Sequence, residues 1–405
     1  MNIPKHWEIK KLGEVCKCVT GTTPSKNDLG NYGNYIPFVK PPQLFDTPIN
    51  NAPEKLSSKG AEVARVLPIN SVLVTCIGNL GRTALNTVPV AFNQQINAII
   101  PPKGLNGRFL FYQAQSPNFK NQLEGLSAAT TVAIVNKGKF ETINIVYPPL
   151  QEQQAIVAKI EELLSDLENG KQQLLKAQQQ LKVYRQSLLK WAFEGKLTNK
   201  NVKEGELPKK WTLALLGDIS EMCLGKMLDK SKNKGTYKPY LRNISVRWGY
   251  FDLNELEEMR FEENEEERYS LKKGDLIICE GGEPGRCAIW NEAVPNMKIQ
   301  KALHRVRVGK NLSEKYLYYF MFFSAMSGLL EKYFTGTTIK HLTGRELKRI
   351  EIPLPPLSEQ QQIVEILESK LTVCDKLEET ISQSLTQSET LRQSILKRAF
   401  EGRLV

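Results

Sequence analysis

One eight-residue stretch of this 405-residue chain occurs twice, and its recurrence decides how the chain is organised. Tyr147-Pro148-Pro149-Leu150-Gln151-Glu152-Gln153-Gln154 returns 207 residues later as Leu354-Pro355-Pro356-Leu357-Ser358-Glu359-Gln360-Gln361. The offset holds without a gap to the end of each copy, where Trp191-Ala192-Phe193-Glu194-Gly195-Lys196-Leu197 matches Arg398-Ala399-Phe400-Glu401-Gly402-Arg403-Leu404. Two such copies predict a pseudo-symmetric protein, and such proteins usually bind pseudo-symmetric partners.

The repeat extends upstream of these two tails. Trp7 matches Trp211, and the run from Leu67 to Val74 matches the run from Leu271 to Ile278, both at an offset of 204. Each half is therefore a divergent block of about 150 residues followed by a closely repeated tail of about 45. In the matching turns the first block has Asn-Ser where the second has Gly-Asp, which allows the local turn geometry to differ.

The blocks carry short apolar runs that end in Gly-rich turns, as expected for a mixed α/β fold. The predicted strands are 72–77, 96–100, 276–279 and 303–308, and the predicted helices are 108–115 and 314–323.

Each tail predicts one long helix. In the first tail, apolar residues recur in alternating steps of four and three over about five heptads, which is a coiled-coil seam. The preceding Pro-Pro pair ends the strand before the helix, and Gly195 and Gly402 lie where the helices should end. A helix of 45 residues is about 65 Å long. The predicted seam residues are Ile156, Ile160, Leu163, Leu167, Leu174, Leu181, Leu188, Ile363, Leu367, Leu377, Ile381, Leu391 and Ile395.

The seam of the second tail is more polar, so that helix needs the first as its partner. Sequence alone leaves parallel and antiparallel pairing open, but a two-fold relation between the repeats makes the helices antiparallel. We therefore predict an α+β fold with two pseudo-symmetric mixed α/β domains, 1–150 and 198–357. Two long helices, 151–197 and 358–405, join them as an antiparallel coiled coil.

The net charge of +11 indicates an anionic partner. Residues 1–151 carry 15 basic and 8 acidic side chains, and residues 198–358 carry 27 and 22. The two tails together are slightly acidic, so the positive charge is concentrated in the blocks. The acidic run 255–267 is expected to be a solvated helix face that points away from DNA.

Seven scattered cysteines and three histidines form no disulfide framework and no zinc-binding pattern. No stretch approaches about 20 apolar residues, and the polar N-terminus is no signal peptide, so we expect a cytoplasmic protein without a membrane partner.

The sequence contains no catalytic motif. It has no G-x-x-x-x-G-K-[ST] phosphate-binding loop. Its Pro-Pro pairs follow Lys40, Tyr147 or Leu354, not the Asp or Asn of amino-methyltransferases. Three histidines do not support a Ser-His-Asp triad. We therefore expect no enzymatic activity and no cofactor in this chain.

Several polar side chains in the blocks are suited to nucleic acid, although each also has a structural interpretation. Arg82 and Arg286 follow a glycine at equivalent positions, where they can reach phosphate or guanine or form an ion pair inside the block. Gln94 and Gln300 lie in equivalent polar runs and can pair with adenine or make a structural hydrogen bond. The DNA-binding candidates are Thr22, Thr23, Ser25, Lys26, Lys40, Arg82, Gln94, Thr130, Lys137, Lys226, Arg242, Asn243, Arg247, Arg286, Gln300, Lys301, Thr337, Lys340 and His341.

The whole chain resembles the specificity subunits of type I restriction–modification systems. The doubled Pro-Pro-Leu-x-Glu-Gln-Gln-x-Ile, the long heptad helix ending Ala-Phe-x-Gly-x-Leu and the strand entry Gly274-Asp275-Leu276 carry this resemblance.

The resemblance implies a non-catalytic subunit that binds double-stranded DNA. Each block would be a target recognition domain that reads one half of a split site, and the helix pair would set the spacer. Two modification subunits would bind S-adenosylmethionine and methylate adenine N6, and restriction subunits would use ATP and Mg. A coiled-coil adaptor that binds only protein is the alternative, which the basic blocks disfavour and a salt-dependent gel shift would test.

Overall fold

The computed structural model describes residues 3–127, 132–199, 201–203, 205–229 and 231–405. Thr130, one of the predicted DNA-binding residues, lies outside these ranges. The chain divides into two compact units. Unit 1 comprises Met1–Leu175 and Ser382–Val405, and unit 2 comprises Lys176–Ile381. Each unit therefore contains one block and a part of each long helix, instead of one block with its own tail.

Unit 1 is built from eleven strands in its described part and five short helices, followed by the first long helix. The strands are β1 Glu8–Lys11, β2 Lys17–Thr20, β3 Tyr32–Val39, β4 Thr47–Ile49, β5 Lys55–Leu56, β6 Val66–Leu67, β7 Val72–Thr75, β8 Thr83–Asn86, β9 Val90–Phe92, β10 Ile96–Ile100 and β11 Asn144–Tyr147. The helices are α1 Leu12–Val15, α2 Ser58–Val63, α3 Gly107–Gln115, α4 Pro117–Gly125, α5 Lys137–Phe140 and the long α6 Leu150–Phe193.

Unit 2 has fewer elements. Its strands are β12 Thr212–Leu215, β13 Ser220–Leu224, β14 Thr236–Leu241, β15 Glu257–Phe261, β16 Leu276–Cys279, β17 Cys287–Ile289, β18 Lys298–Ile299, β19 Leu303–Val308 and β20 Glu351–Leu354. Its helices are α7 Glu266–Tyr269, α8 Glu314–Met326, α9 Gly344–Lys348 and the long α10 Leu357–Phe400, which continues into unit 1.

The two units share a sheet framework. The antiparallel order β2-β10-β7-β8 in unit 1 corresponds to β13-β19-β16-β17 in unit 2, and the pair β1-β11 corresponds to β12-β20. Both units also contain a short parallel contact, β3 with β9 and β14 with β18. Unit 1 adds β4 in parallel beside β8. The four strands predicted for the blocks correspond to β7, β10, β16 and β19 of this sheet framework, and the two predicted helices correspond to α3 and α8.

The turns that enter β7 and β16 are alike despite their different sequences. Asn70 has a φ of 62° and Gly274 a φ of 91°, so both lie in the left-handed region. Asparagine tolerates that region better than most side chains. The difference in sequence therefore leaves the turn geometry unchanged.

The two long helices run in opposite directions wherever they meet. In unit 1 the start of α6, at Ile156 and Ile160, shares a core with the end of α10, at Leu396 and Phe400. In unit 2 the end of α6 shares a core with the start of α10, and farther along Arg185 pairs with Asp375 at 2.7 Å. The antiparallel coiled coil is thus confirmed.

The seam differs from the prediction on one flank. The heptad series through Leu367, Ile381 and Ile395 is buried or half-buried, but Leu377 and Leu391 are 48% and 51% exposed. These two leucines share a helix stripe with the exposed Lys370 and Arg398. The flank that faces the partner is therefore the one that carries Leu367, Cys374, Ile381, Ser388 and Ile395.

The doubled Glu-Gln-Gln motif fastens each long helix to its block. The Gln153 side chain is fully buried; its oxygen accepts from the Asn106 backbone N–H at 2.8 Å, and its amide donates to the carbonyls of Gly104 and Pro148. Gln360 repeats this pattern with Ser313, Asn311 and Pro355.

The doubled glycine ends each long helix. Gly195 and Gly402 have φ values of 77° and 69°, and a Cβ at either would lie 2.3 Å from the Cγ of Pro208 or Pro4. The helix end therefore packs directly on the segment that leads into a block. Over the described residues, no helix combines the length and apolar character that a membrane span requires.

Candidate nucleic-acid interface

A cleft of about 720 Å³ opens at the edge of the main sheet of unit 2 where β13 and β16 end and β19 begins. We call it the unit 2 cleft; its lining residues are Met227, Leu228, Glu280, Gln300, Lys301, Ala302, Thr335, Gly336, His341 and Thr343. Gln300, Lys301 and His341 were predicted from the sequence as DNA-binding residues. The structure brings them together from the turn before β19 and the loop before α9.

Backbone hydrogen bonds hold the walls of this cleft in place. The Gly225 N–H bonds to the Leu303 carbonyl at 2.9 Å, and the Leu342 N–H bonds to the Glu280 carbonyl at 2.7 Å. A side chain at Gly225 would strike the Gln300 backbone, where a Cβ would lie 2.2 Å from the carbonyl oxygen. Backbone groups therefore fix the shape of the cleft, and this leaves its surrounding side chains available to contact a ligand.

A polar hairpin, residues 335–341, lies beside the cleft. Thr335 and His341 pair across its base, and Gly336 has a φ of 91° at its bend. Thr337 and Lys340, both predicted from the sequence, are exposed at its tip. Together with the exposed Lys301, they give this edge a positive rim suited to phosphate.

The histidine behind the cleft is neutral. His304 on β19 is buried, and burial lowers the pKa of its imidazole. The Nε2 atom of His304 lies 3.1 Å from the Leu342 carbonyl, to which the neutral ring donates a hydrogen bond. The local charge of the cleft thus comes from its surface side chains.

Ala302 has a φ of 81°, a conformation that side chains other than glycine rarely adopt. It follows Lys301 in the turn that lines the cleft. Such strain is often retained where a binding site requires a particular backbone shape.

Unit 1 has the same backbone arrangement with different side chains. The Gly21 N–H bonds to the Ile96 carbonyl, and the Val135 N–H bonds to the Cys76 carbonyl, as in unit 2. Thr22, Thr23 and Gln94 lie at this edge, and the Thr23 hydroxyl donates to the Gln94 side-chain oxygen. By this correspondence, Gln94 in unit 1 is equivalent to Lys301 in unit 2, which is one residue beyond Gln300.

An arginine that the sequence did not single out, Arg65, lies next to the loop that carries Thr22, Ser25 and Lys26. The Arg65 N–H donates to the Thr22 hydroxyl at 3.0 Å, and its guanidinium bonds to the Thr20 carbonyl. Ser25 and Lys26 are exposed in the same loop. Only the folded chain brings Arg65 next to Thr22, since β3 to β5 lie between them.

Four predicted cations are held by internal carboxylates. Lys40 pairs with Glu54, and Arg242 pairs with Glu257 at 2.6 Å. Lys40 and Arg242 occupy equivalent sites, since each precedes a 3₁₀ helix, Pro41–Gln43 or Asn243–Ser245. Lys226 and Arg286 also form ion pairs, with Glu265 and Glu283 respectively.

Arg286 also donates to the Asn243 side-chain oxygen at 3.0 Å. Arg286 and Asn243 therefore form one internal cluster, and this geometry favours the structural interpretation of both. Arg82, its counterpart in unit 1, is exposed and forms no ion pair within the described ranges. Arg247 lies 3.9 Å from Asp252, and Lys137 lies 3.4 Å from Glu141.

The acidic run 255–267 is not a solvated helix face, contrary to the prediction. Its first half is β15, and only its last two residues enter the short α7. Glu266 pairs with Lys298, whose side chain is fully buried. Buried cations require such partners, so the run neutralises the interior of unit 2.

The comparisons with known proteins agree with this doubled architecture. The family model of the type I restriction modification DNA specificity domain matches residues 4–177 and 208–387. The chain is 27% identical over 423 residues to the type I restriction enzyme EcoKI specificity subunit of Escherichia coli strain K12, covering 99% of this chain and 90% of that subunit.

Two solved structures share the fold. One, concerned with complex assembly and conformational transition of the type I R-M system, has a TM-score of 0.77 and 21% identity, covering 100% of both chains. The HsdS subunit from Thermoanaerobacter tengcongensis has a TM-score of 0.66 and 21% identity, covering 99% of this chain and 98% of that one. Because the family model matches both halves of the sequence, this chain belongs to the type I restriction–modification DNA specificity family, with one recognition domain in each half.

Proposed function

We propose that this chain reads a bipartite target in double-stranded DNA, with one half-site for each unit. The observation that carries the proposal is the pair of equivalent sheet edges. Their backbone bonds are the same, but unit 1 has Gln94 and Cys76 at the positions where unit 2 has Lys301 and Glu280. Two different half-sites require different side chains on equivalent backbone positions, because side chains read the base edges.

The geometry supports a revised set of proposed DNA contacts. The exposed Thr23, Lys26, Arg82 and Gln94 act in unit 1, and the hairpin tip with Lys301 acts in unit 2. Lys40, Lys226, Arg242 and Arg286 support the fold through their carboxylate partners, and so contribute little to DNA binding.

This chain supplies specificity, and its partners supply catalysis. Two modification subunits, which bind S-adenosylmethionine and methylate adenine N6, dock on the helices and blocks, and restriction subunits contribute ATP- and Mg-dependent cleavage. A groove of about 1040 Å³ in unit 2, between α6, α8 and α10, supports a protein-binding role. Tyr318, Phe322 and the half-exposed Met326 line it, and exposed apolar surface of this kind marks interaction sites.

The test is to map methylated adenines in a host that carries this chain with its modification subunit. We expect methylation at one bipartite sequence, and none when either protein is expressed alone. Methylation by the purified chain alone, or methylation without a bipartite target, would overturn the proposal.

Binding provides a second test. A gel shift on duplex DNA should weaken steeply as salt rises, because phosphate contacts release counterions. A chain that binds the modification subunit but shifts no DNA, alone or in the complex, would instead be an adaptor.

A further inference from the structure

Glu280 is the main chemical difference between the two equivalent edges. Its N–H bonds to the Ala302 carbonyl at 2.8 Å, as the Cys76 N–H bonds to the Gln95 carbonyl at 2.9 Å in unit 1. Cys76 is buried, whereas Glu280 is half-buried and lines the unit 2 cleft. At equivalent backbone positions, unit 1 therefore has the inert thiol of Cys76 and unit 2 has the carboxylate of Glu280.

Within the part of the chain that the structure describes, the Glu280 carboxylate has no ion-pair or hydrogen-bond partner, although it interacts electrostatically with the buried His304. Within the described ranges, no cation lies within 4.0 Å of it and no group donates a hydrogen bond to it, although Lys301 and His341 line the same cleft. By contrast, Glu257, Glu265 and Glu266 are all paired. A carboxylate that DNA would cover loses its water, which is costly unless the DNA offers a donor.

Only base edges can offer that donor. Phosphates carry negative charge and repel a carboxylate. In the major groove the amino groups are cytosine N4 and adenine N6, and in the minor groove guanine N2, which lies between the acceptors guanine N3 and cytosine O2 and therefore suits a carboxylate poorly. Adenine N6 lies beside N7, an acceptor that would face the second carboxylate oxygen, and an ionised carboxylate is acceptor-only. Cytosine presents its amino donor without a neighbouring acceptor of its own. Its paired guanine presents two acceptors, which suit a cation such as Lys301.

We infer that Glu280 is a specificity-determining residue, which accepts a hydrogen bond from the N4 amino group of a cytosine in the half-site read by unit 2. This inference rests on the proposed function. It places a C·G pair in that half-site and leaves the half-site of unit 1 independent of Glu280.

The first test exchanges the residue and reads the target. Methylated adenines are mapped for the complete complex carrying wild-type chain, Glu280→Gln or the control Glu263→Gln, which removes an exposed carboxylate outside the cleft. A glutamine amide both donates and accepts, so Glu280→Gln should shift one position of the unit 2 half-site from cytosine towards adenine. Glu263→Gln should leave the target unchanged. An unchanged target with Glu280→Gln would overturn the inference.

The second test changes the base instead of the protein. Each cytosine of the mapped unit 2 half-site is replaced in turn by N4-methylcytosine, whose methyl group takes the place of the amino hydrogen that faces the major groove. At one position the wild-type complex should lose about ten-fold or more in affinity, and Glu280→Ala should lose less than about two-fold on the same substitution.

The outcomes separate the two proposals. Equal losses for wild type and Glu280→Ala at every position would overturn the role of Glu280 while leaving bipartite recognition intact. Absence of any bipartite target for the wild-type complex would overturn the proposed function, and this inference with it.

Discussion

Gln153 and Gln360 explain why a short motif is repeated almost unchanged in a chain whose blocks diverge. Each amide saturates backbone groups beside the N-terminus of a neighbouring helix, α3 or α8. No other side chain of similar size offers one acceptor and two donors in a neutral group, so the site requires glutamine.

Gln153→Ala should destabilise the protein because it leaves the Asn106 N–H and two carbonyls, of which that of Pro148 is buried, without their partner. We expect the free energy of unfolding to fall by about 2–4 kcal/mol, since the buried unpaired carbonyl costs about 1–3 kcal/mol and the two groups on less buried residues each cost less. Denaturant unfolding measures this change, and Gln154→Ala, at the exposed neighbour, serves as the control. Similar losses for both variants would contradict the role assigned to Gln153.

Glu266 gives the stability of unit 2 a predictable pH dependence. The hydrogen bond from Lys298 lowers the pKa of the Glu266 carboxyl below its ordinary value near 4.5. A pKa lowered by folding contributes stability above the unfolded value, and that contribution is lost as pH falls through the folded value.

Glu266→Gln should therefore lower the melting temperature at neutral pH, because it leaves the buried Lys298 ammonium without its carboxylate. The deficit relative to wild type should shrink as pH falls below about 4.5. Thermal unfolding at a series of pH values measures both effects, with Glu267→Gln as the exposed control. A deficit that stays constant with pH would refute the ion pair as its cause.

At the scale of the element, a glycine within one long helix and a glycine at the end of the other have opposite effects on stability. Gly170 lies within α6, where a Cβ would meet no atom within 4 Å. Gly402 follows α10 with a φ of 69°, and its Cβ would overlap Pro4. The first weakens a helix, and the second ends one.

Gly170→Ala should stabilise the protein by about 1 kcal/mol, because alanine favours the helix by that amount. Gly402→Ala should destabilise it by more than about 1 kcal/mol, through the left-handed backbone as well as the clash. Circular dichroism during thermal unfolding compares the two variants directly. If both shifted the melting temperature in the same direction, the different roles of the two glycines would be wrong.

At the scale of the whole molecule, the two 44-residue helices suggest that length is a functional property. If the helix pair sets the distance between the half-sites, removing one heptad from both helices shortens it by about 10 Å. That distance corresponds to about three base pairs of B-DNA.

Deleting 171–177 together with 378–384 should therefore shorten the methylated target's spacer by about three base pairs and leave both half-sites unchanged. Mapping of methylated adenines reads spacer and half-sites together. A four-residue deletion from each helix is the control, because it breaks the heptad register and should abolish methylation. Altered half-sites with an unaltered spacer would exclude the helices as a ruler.

The sequence by itself determined the repeat, the two helices with their starts and ends, and the strands that form the common framework. These features depend on local patterns: a heptad, a Pro-Pro pair, a glycine, a short apolar run. The tertiary structure alone decided which polar side chains are free. Arg286 and Lys226 bind internal carboxylates, whereas among the residues that the structure describes Lys301 and Glu280 form no ion pair. It also decided which flank of α10 is buried, so that Leu377 is exposed. The physical reason is that charge pairing and burial depend on neighbours brought close by folding, which no local pattern contains.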